Sequence, residues 1–438
     1  MTLSTQPYKG ARDFYPEDKR IQKYMFNTLR RVVERYGYEE YDAPILESIE
    51  LYRAKSGEEI VNEQTYSFTD RGGREVVIRP EMTPTVSRMV AGQRQELGYP
   101  LRWYSIPNLW RYERPQKGRL REHWQLNVDV FGISDMSAEY ELILLTDSIM
   151  REFNATRDMY VIKLNSRKLM DYIMKDYLGL DDVQTHTLSK LIDRMHKMER
   201  SAFVAATDAL LRPTQRDAGI SQKLLDILVV KVIDDLPTSV KESGIVDSLT
   251  KLIELLHDNG VSNVEFDISI MRGFDYYTDI VFEMNDTDPE NNRAMMGGGR
   301  YDGLVGLFGV EPVPTVGFGW GDVTLLNFLK SHDLLQNPVS ETEVYAILIG
   351  DVYDKAQKLL ANLRKEGVTV AVDNSGRKLA QTIKNATKKN IPYALFIGEK
   401  ELTEGQYNLK DLQSGIEETH SAERIISTVL DSRKNTIL

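Results

Sequence analysis

The chain has 438 residues, of which 41% are hydrophobic and 28% are charged, and its formal net charge is −11. This length allows two to three domains with separate cores, and the composition is that of a globular protein. The acidic balance argues against a protein that coats nucleic acid non-specifically, although local basic patches are compatible with it. The lack of cysteine excludes disulfides and thiolate metal sites and suits a reducing cytoplasm.

The sequence also gives no indication of metal binding or membrane insertion. The six histidines are scattered without the pair spacing of zinc ligands, so we expect no metal site built by the protein. The first residues carry no apolar signal segment, and no run approaches the 18 apolar residues of a membrane span. We therefore expect a cytoplasmic protein without a membrane partner.

The first predicted element is an amphipathic helix over residues 16–36, because apolar residues from Ile21 to Val33 recur with helical spacing. The segment Tyr38–Ile45 that follows is predicted to be extended. It contains Pro44, which cannot donate to a strand ladder, so we expect this segment at a sheet edge or an interface.

Two strands joined by a basic hairpin are predicted next. The strands cover Leu101–Tyr112 and Trp124–Phe131, the second with alternating apolar residues. The residues between them, Glu113–His123, are rich in Arg, Lys and Gly, which predicts a long basic tip. Asp135 is then predicted to cap a helix that runs to about residue 153.

The middle of the chain changes character. Residues 165–258 show mostly helical periodicity with few glycines, which we interpret as a helical insertion into a sheet-based domain. Strand patterns return at Val264–Ile270 and Tyr276–Met284, and glycine-rich segments follow at 297–303 and 317–321.

The polar segment 336–340 predicts a linker, and beyond it strands and helices alternate as in a small α/β domain with a largely parallel sheet. The predicted elements are strands Val344–Ile349, Val368–Val372 and Tyr393–Ile397, and helices Val352–Glu366 and Lys378–Lys389. Residues 355–389 hold nine Lys or Arg against two acids, which suits phosphate contacts; the alternative is a solvated pair of helices.

The basic hairpin is the first pattern that carries chemistry. Five basic residues lie within the 13 positions from Arg111 to His123, and Arg can bind phosphate oxygens in a bidentate way. This composition is compatible with a phosphate-binding loop and equally with a solvated charged hairpin, and it does not distinguish the two.

Three further patterns are ambiguous when each is taken alone. Glu81 stands between a predicted strand and a predicted helix, where a carboxylate also favours the helix N-terminus. Tyr276 and Tyr277 are predicted to start a strand, on which at most one of them would point into a given pocket. The glycines of 297–303 and 317–321 allow close backbone approach to a ligand or a positive φ in a tight turn.

Taken together and in this order, the blocks resemble the histidyl-tRNA synthetases, a family of class II aminoacyl-tRNA synthetases, over almost the whole chain. The basic hairpin is similar to motif 2, Tyr38–Ser48 to motif 1, and the run from Val316 to motif 3. Arg272–Thr278 and Gly298–Gly303 are similar to the two blocks peculiar to histidyl enzymes. The resemblance is specific because the Arg-Gly-x-x-Tyr-Tyr block sets this family apart from other class II synthetases.

The resemblance implies an α+β fold in two parts. A catalytic domain over residues 1–335 would contain an antiparallel sheet flanked by helices, with the helical insertion at about 165–258. A small α/β anticodon-binding domain would follow over residues 341–438. The resemblance further implies a homodimer, with tRNA-His, histidine and ATP as partners and Mg²⁺ as the accompanying ion.

The implied reaction has two steps: histidine and ATP give histidyl-adenylate, and the histidyl group then passes to the 3′ end of tRNA-His. Arg111 and Arg272 would be catalytic, at the α-phosphate. Histidine would be bound by Glu81, Thr83, Arg111, Gln125, Asp129, Arg272, Tyr276 and Tyr277. ATP would be bound by Arg111, Glu113, Arg119 and Arg272. The tRNA acceptor end would be read by Gln116 and Arg121.

One position departs from the family. Motif 3 usually ends in Gly-Leu-Glu-Arg-Leu, whose arginine contacts the γ-phosphate of ATP, and here Thr324 takes the place of that arginine. Loss of a charge-assisted phosphate contact costs about 1.5–3 kcal/mol. Two outcomes are open: another basic residue or a metal ion held by Asp322 replaces the contact, or the affinity for ATP is low.

Two other functional interpretations compete with a ligase. A non-catalytic relative that senses histidine as a regulatory subunit typically degrades motif 2 or the tyrosine block and lacks the anticodon-binding domain. A plain RNA-binding module has no need for Glu81, Asp129 and Arg272 together. The chain retains all of these features, so the ligase is the favoured prediction.

Overall fold

The computed structural model describes residues 3–53, 64–195, 198–271, 276–291, 293–336 and 339–436. The chain divides into two units, one formed by Met1–Asp13 with Met25–Leu335 and the other by Phe14–Tyr24 with Gln336–Leu438. Among the described residues, no helix combines the length and apolar character needed to cross a membrane.

The first unit is built on a mixed sheet that is mainly antiparallel. Its strands are β1 (Glu39–Glu40), β5 (Leu101–Ser105), β6 (Asn108–Trp110), β7 (Glu122–Phe131), β8 (Tyr160–Ser166), β9 (Val264–Phe266), β10 (Ile280–Asp286), β11 (Ala294–Arg300) and β12 (Thr315–Gly321). Their order is β1-β5-β7-β12-β11-β10-β8-β9, and β6 pairs with β7. Only the outer pairs β1–β5 and β8–β9 are parallel in the described sheet.

The centre of this sheet is buried on both sides. Every residue of β7 from Leu126 to Phe131 is buried, and the same holds for β11 from Met295 to Arg300. A second, small antiparallel sheet has the order β2-β4-β3. Its strands are β2 (Leu46–Ser48), β3 (Tyr66–Thr69) and β4 (Glu75–Ile78).

Helices flank the large sheet and fill the segment between β8 and β9. Outside that segment the helices are α1 (Pro16–Arg35), α2 (Ile49–Arg53), α3 (Thr83–Gly92), α4 (Ser137–Glu152) and α12 (Asp322–Ser331). Between β8 and β9 lie α5 (Arg167–Tyr172), a π-helical turn (Ile173–Tyr177), α6 (Asp182–Asp193), α7 (Arg200–Leu210), α8 (Pro213–Asp217), α9 (Ile220–Leu228), a 3₁₀ turn (Ile233–Asp235), α10 (Thr238–Lys241) and α11 (Asp247–Asp258). A further 3₁₀ turn covers Val305–Phe308.

Helix boundaries follow local chemistry. Helix α1 begins with Pro16, whose missing N–H is unused at a helix start, and acidic residues occupy its first turn. Helix α4 begins at Ser137, whose backbone N–H donates to the Asp135 carboxylate over 2.8 Å. The extended segment predicted for Tyr38–Ile45 is a strand only at Glu39–Glu40.

The second unit has a five-stranded sheet of order β14-β13-β15-β16-β17. Its strands are β13 (Val344–Leu348), β14 (Val370–Asp373), β15 (Tyr393–Ile397), β16 (Tyr407–Asp411) and β17 (Glu417–His420). Its helices are α13 (Tyr353–Lys365), α14 (Leu379–Lys388), α15 (Glu399–Glu404) and α16 (Ala422–Thr436). The first three strands are parallel as predicted, and β16 and β17 add an antiparallel edge that the sequence did not indicate.

The two faces of this smaller sheet pack against different helices. Ala356, Leu360 and Ile425 belong to one apolar cluster, so α13 and α16 share a face. Ile383 of α14 packs in a separate cluster with Phe396. The nine basic residues of 355–389 are all exposed; four lie on α13, two on α14, and the other three lie next to α14.

Candidate active site

A small cavity of about 40 Å³ lies over the middle strands of the large sheet. It combines hydroxyl, amide and carboxylate groups with bare backbone, as expected for a site that binds a small polar molecule. Its walls are formed by Glu81, Thr83, Arg111, Gln125, Asn127, Tyr276, Tyr277, Gly297, Tyr301, Gly317, Phe318 and Gly319. Six of the residues predicted for histidine binding are therefore brought together here.

The glycines of β12 make space for side chains of β7. Gly317 is the register partner of Asp129, and a Cβ atom on this glycine would overlap the Asp129 carboxylate. A Cβ atom on Gly319 would overlap the Gln125 amide in the same way. At these two positions the glycines serve a third purpose, which the sequence did not indicate: they leave room for side chains of the neighbouring strand.

Asp129 is buried next to the cavity and accepts a hydrogen bond from the hydroxyl of Tyr301. Burial raises the pKa of Asp129 from 3.8 to about 7, while the bond from Tyr301 opposes the rise. Asp129 itself is not one of the residues that form the cavity wall, whereas its hydrogen-bond partner Tyr301 is. The sequence analysis missed Tyr301, although it lies in the Gly298–Gly303 block that resembles the family.

Tyr276 and Tyr277 both line the cavity, and their ring centroids are 4.9 Å apart. The prediction that at most one of them could face a pocket was wrong. It assumed that both lie on a strand, whereas β10 begins only at Ile280 and the tyrosines precede it. Side-chain alternation applies within a strand, so the turn before β10 is free to direct both rings inward.

The polar end of the cavity is formed by Glu81, Thr83 and Gln125. The Tyr276 hydroxyl donates to the Glu81 carboxylate over 3.2 Å. The Tyr52 hydroxyl donates to the Glu81 backbone carbonyl, also over 3.2 Å, which fixes the chain just before α3. The Oε1 atom of Gln125 is buried and has no hydrogen-bond donor within the described part of the chain. Such an acceptor suits a ligand that carries N–H groups.

A larger cleft of about 650 Å³ adjoins the same strands. Its walls include Arg111, Glu113, Arg119, His123, Lys163, Asp193, Asp267, Glu283, Arg293 and Thr324. Arg111 lines both this cleft and the small cavity, and its Nε donates to the Pro80 carbonyl over 2.9 Å. A guanidinium at this junction can contact a small molecule in the cavity and a second group in the cleft.

Within the large cleft, the carboxylate of Glu113 and the guanidinium of Arg119 form an ion pair. The predicted roles of these residues require ATP to compete with that pair. His123 also lines the cleft, and its enclosure, reinforced by Arg111, Arg12 and Arg119, lowers its pKa from 6.5 to about 3. The imidazole is therefore neutral at physiological pH and adds no charge to the three guanidinium groups.

The residues predicted for the hairpin tip occupy different environments. Gln116 is exposed, and its backbone pairs with that of Arg119 in an isolated bridge. Arg121 was also placed at the tip, and this position is wrong. Its guanidinium is buried, donates to the Glu113 carbonyl over 2.9 Å and lies 4.1 Å from the ring centroid of Tyr112. Arg121 thus holds the base of the hairpin.

The wall of the large cleft has an uncharged side chain at Thr324, the position where the family has an arginine. The Thr324 hydroxyl lies 3.0 Å from the Met295 carbonyl and 3.1 Å from the Gly321 carbonyl, so the backbone engages it. Asp322, considered as a metal ligand in its place, accepts from Arg12 over 2.7 Å and from the Trp124 backbone over 2.9 Å. Residues 272–275 lie outside the described part of the chain, so Arg272 stays a prediction.

The antiparallel sheet, the arginine-bearing hairpin and the separate α/β unit form the architecture expected for a class II aminoacyl-tRNA synthetase. The family model described as "Histidyl-tRNA synthetase" matches residues 10–321, and the model described as "Anticodon binding domain" matches residues 338–432. The chain belongs to the histidyl-tRNA synthetase family.

Individual relatives agree with this assignment. The chain is 44% identical over 414 residues to a histidine–tRNA ligase of Leptospira biflexa, with 94% of each chain covered. It is 40% identical over 419 residues to a histidine–tRNA ligase of Thermoplasma volcanium, covering 95% of this chain and 96% of the relative. A crystal structure of histidyl-tRNA synthetase from a Nostoc species has the same fold, with a TM-score of 0.79, 23% identity and coverage of 98% and 100%.

Proposed function

We propose that the small cavity binds histidine, that the large cleft binds ATP, and that Arg111 acts where the two substrates meet. Membership of the family and the similarity to histidine–tRNA ligases over nearly the full chain make this protein an ATP-dependent histidine–tRNA ligase. The position of Arg111 in the walls of both cavities is the observation that carries the residue-level proposal.

The first step needs position and charge more than an activated enzyme group. A carboxylate oxygen of histidine attacks the α-phosphorus of ATP, the bond to the β-phosphate oxygen breaks, and pyrophosphate leaves. Arg111 neutralises the charge that develops on the α-phosphate, and Arg272 is proposed to act from the opposite side. Removal of one preorganised donor of this kind raises the barrier by about 2.7–4 kcal/mol.

Selection of histidine is assigned to the aromatic end of the cavity. Asp129 accepts a hydrogen bond from one imidazole N–H, Tyr277 contacts the other ring nitrogen, and the hydrogen bond from Tyr301 holds the Asp129 carboxylate in place. The α-amino group is bound by Glu81, Thr83 and Gln125, whose buried Oε1 is an available acceptor. An apolar amino acid would leave these buried groups unpaired and is therefore rejected.

ATP is proposed to enter the large cleft with Mg²⁺. Among the described residues no group of three or more His, Cys, Asp or Glu side chains is arranged to hold a metal. Mg²⁺ normally binds through substrate phosphates and one or two carboxylates, and Glu283 in the cleft wall fits that requirement. The ion supplies neutralisation of the triphosphate charge. Glu113 contacts the adenine, and Arg119 reaches the outer phosphates after leaving Glu113.

The second step transfers the histidyl group to the terminal adenosine of tRNA-His, with Gln116 as the proposed contact to the acceptor end. Arg121 is omitted from this role because its guanidinium is occupied within the hairpin base. The domain boundaries at 1–335 and 341–438 remain part of the proposal, with the smaller domain binding the anticodon. The exposed basic residues of 355–389 support phosphate contacts there.

The protein is further proposed to act as a cytoplasmic homodimer. Ile45, Leu46 and Phe68 lie in or next to the small sheet of the first unit, and between 48% and 52% of each residue is exposed. Exposed apolar groups of this kind mark association surfaces when they cluster. Light scattering at micromolar concentration should give a dimer, and a monomer would contradict this part of the proposal.

Histidine-dependent exchange of pyrophosphate into ATP tests the ligase directly. The wild type should exchange with histidine and with no apolar amino acid, and Arg111→Ala should lower the rate about 100- to 1000-fold. The matched control is Arg71→Ala, which removes an exposed arginine in the turn between β3 and β4. If folded wild type binds histidine without exchange, the non-catalytic regulatory interpretation replaces the ligase.

A further inference from the structure

We propose that Arg293 binds the outer phosphates of ATP and replaces the arginine that is missing at position 324. This inference rests on the proposed function, because it assigns a residue to the same nucleotide cleft. Its basis is the arrangement of side chains around Thr324.

Arg293 and Thr324 occupy the same part of the cleft. Both residues line the large cleft, and both also line a second cavity of about 390 Å³ that adjoins it. Gly118 of the basic hairpin is the third residue common to the two cavities. A Cβ atom on Gly118 would lie 3.2 Å from Cδ of Arg293 and 3.7 Å from Cγ2 of Thr324. Arg293 is therefore beside the position where the family carries its motif 3 arginine.

The backbone around positions 293 and 324 explains how an arginine at the first can replace an arginine at the second. Arg293 directly precedes β11, and Thr324 lies in the first turn of α12. The Thr324 hydroxyl is 3.0 Å from the carbonyl of Met295, two residues after Arg293. The start of β11 and the start of α12 thus meet, and the long side chain of Arg293, just before β11, can reach the space left by the short side chain of Thr324 on α12.

The charge of the cleft shows why another arginine is needed. Its wall carries four basic side chains, Arg111, Arg119, Lys163 and Arg293, and four acidic ones, Glu113, Asp193, Asp267 and Glu283. Two of the basic groups are ion-paired, Arg119 with Glu113 and Lys163 with Asp267. A triphosphate has to displace a carboxylate before it can bind either of these two cations.

Arg293 differs from those two groups. Within the described residues it forms no ion pair, although the nearby acid Glu290 is paired with Lys117 over 3.3 Å. A half-buried guanidinium in a cleft without its own carboxylate suits a multiply charged phosphate, which it can contact through two parallel N–H donors. The metal alternative at position 322 is weakened because Arg12 already neutralises that carboxylate.

The test compares two nucleotides by isothermal titration calorimetry. ATP carries the outer phosphates and AMP does not, so Arg293→Ala should raise the Kd for ATP about 10- to 100-fold and leave the Kd for AMP unchanged. Arg293→Gln, which is neutral and retains the polar character and part of the length of the side chain, gives the same comparison if the alanine variant fails to fold. Arg71→Ala is again the matched control.

A second arm moves the charge back to the position the family uses. In the double variant Arg293→Ala with Thr324→Arg, the Kd for ATP should recover most of the loss. An unchanged Kd for ATP in Arg293→Ala, or equal losses for ATP and AMP, would overturn the assignment. Because these are binding measurements, they are independent of the exchange assay. Absence of pyrophosphate exchange would refute the ligase function. Equal effects of Arg293→Ala on the Kd values for ATP and AMP would refute only the role of Arg293.

Discussion

Replacing Asp129 by asparagine should make the protein more stable at neutral pH and lower its affinity for histidine. The Asp129 carboxylate is buried, and this burial raises its pKa from 3.8 to about 7. Asparagine has almost the same shape, and its carbonyl oxygen can still accept the hydrogen bond of Tyr301. The substitution therefore removes a titrating group with little change in packing.

The expected size follows from the proton balance. Between pH 4 and pH 7 the unfolded chain has lost the Asp129 proton, whereas the folded protein retains it. The wild type thus loses stability as the pH rises through this window, and the asparagine variant does not. A shift of roughly three units corresponds to about 4 kcal/mol of unfolding free energy at 1.36 kcal/mol per unit.

Thermal unfolding of the wild type and Asp129→Asn at pH 5, 6, 7 and 8 measures this effect. The difference in Tm, variant minus wild type, should grow by several degrees between pH 5 and pH 7 and then level off. The comparison across pH cancels effects of the substitution that do not depend on protons. A Tm difference that stays constant from pH 5 to pH 8 would refute the reasoning.

Histidine provides the functional half of the same experiment. Saturating histidine should raise the Tm of the wild type more than that of Asp129→Asn, because an ionised Asp129 accepts a charge-assisted hydrogen bond from the imidazole N–H. Asp129→Ala should weaken histidine binding far more than ATP binding. Equal losses for both substrates would show that Asp129 does not contact the imidazole.

Two further substitutions test the framework of the site. Gly317→Ala should raise the KM for histidine at least tenfold and lower the free energy of unfolding by about 1–3 kcal/mol, because the added methyl group overlaps the Asp129 carboxylate. Exchange kinetics measure the first effect, and urea unfolding measures the second. Arg300→Met should lower stability by about 3–5 kcal/mol, since it strands the buried Glu139 carboxylate that Arg300 holds over 2.6 and 2.7 Å. The double variant Arg300→Met with Glu139→Gln should then be more stable than Arg300→Met alone. If the losses of stability in the two single variants simply add, the Arg300–Glu139 ion pair does not stabilise the fold.

The elements that the sequence predicted well are those with strong local signals. The periodicity and the proline at the start of α1, the alternation along β7 and the βα repeats beyond residue 340 all correspond to observed elements. Histidine and tRNA were inferred from short blocks whose order resembles one family, and the comparisons confirm that family.

The predictions that were wrong or incomplete concern residues whose positions depend on tertiary packing. Nothing local distinguishes Arg121, which packs beneath Tyr112, from the exposed basic residues before it in the hairpin. Tyr301 gains its importance from a buried partner 172 positions away, a contact that only the folded sheet creates. The tyrosine pair was misjudged because the start of β10 was placed four residues too early, and strand ends are poorly encoded.

The glycines of β12 have a consequence for how substrate choice can change. Glycine has no smaller replacement, so any substitution at Gly317 or Gly319 can only fill space, never create it. No substitution in this wall can therefore enlarge the pocket. A variant that accepts a bulkier amino acid must therefore gain its room on the opposite, aromatic side, where Tyr276, Tyr277 and Tyr301 can still be trimmed. Directed libraries for altered amino acid selection should be concentrated on those three rings.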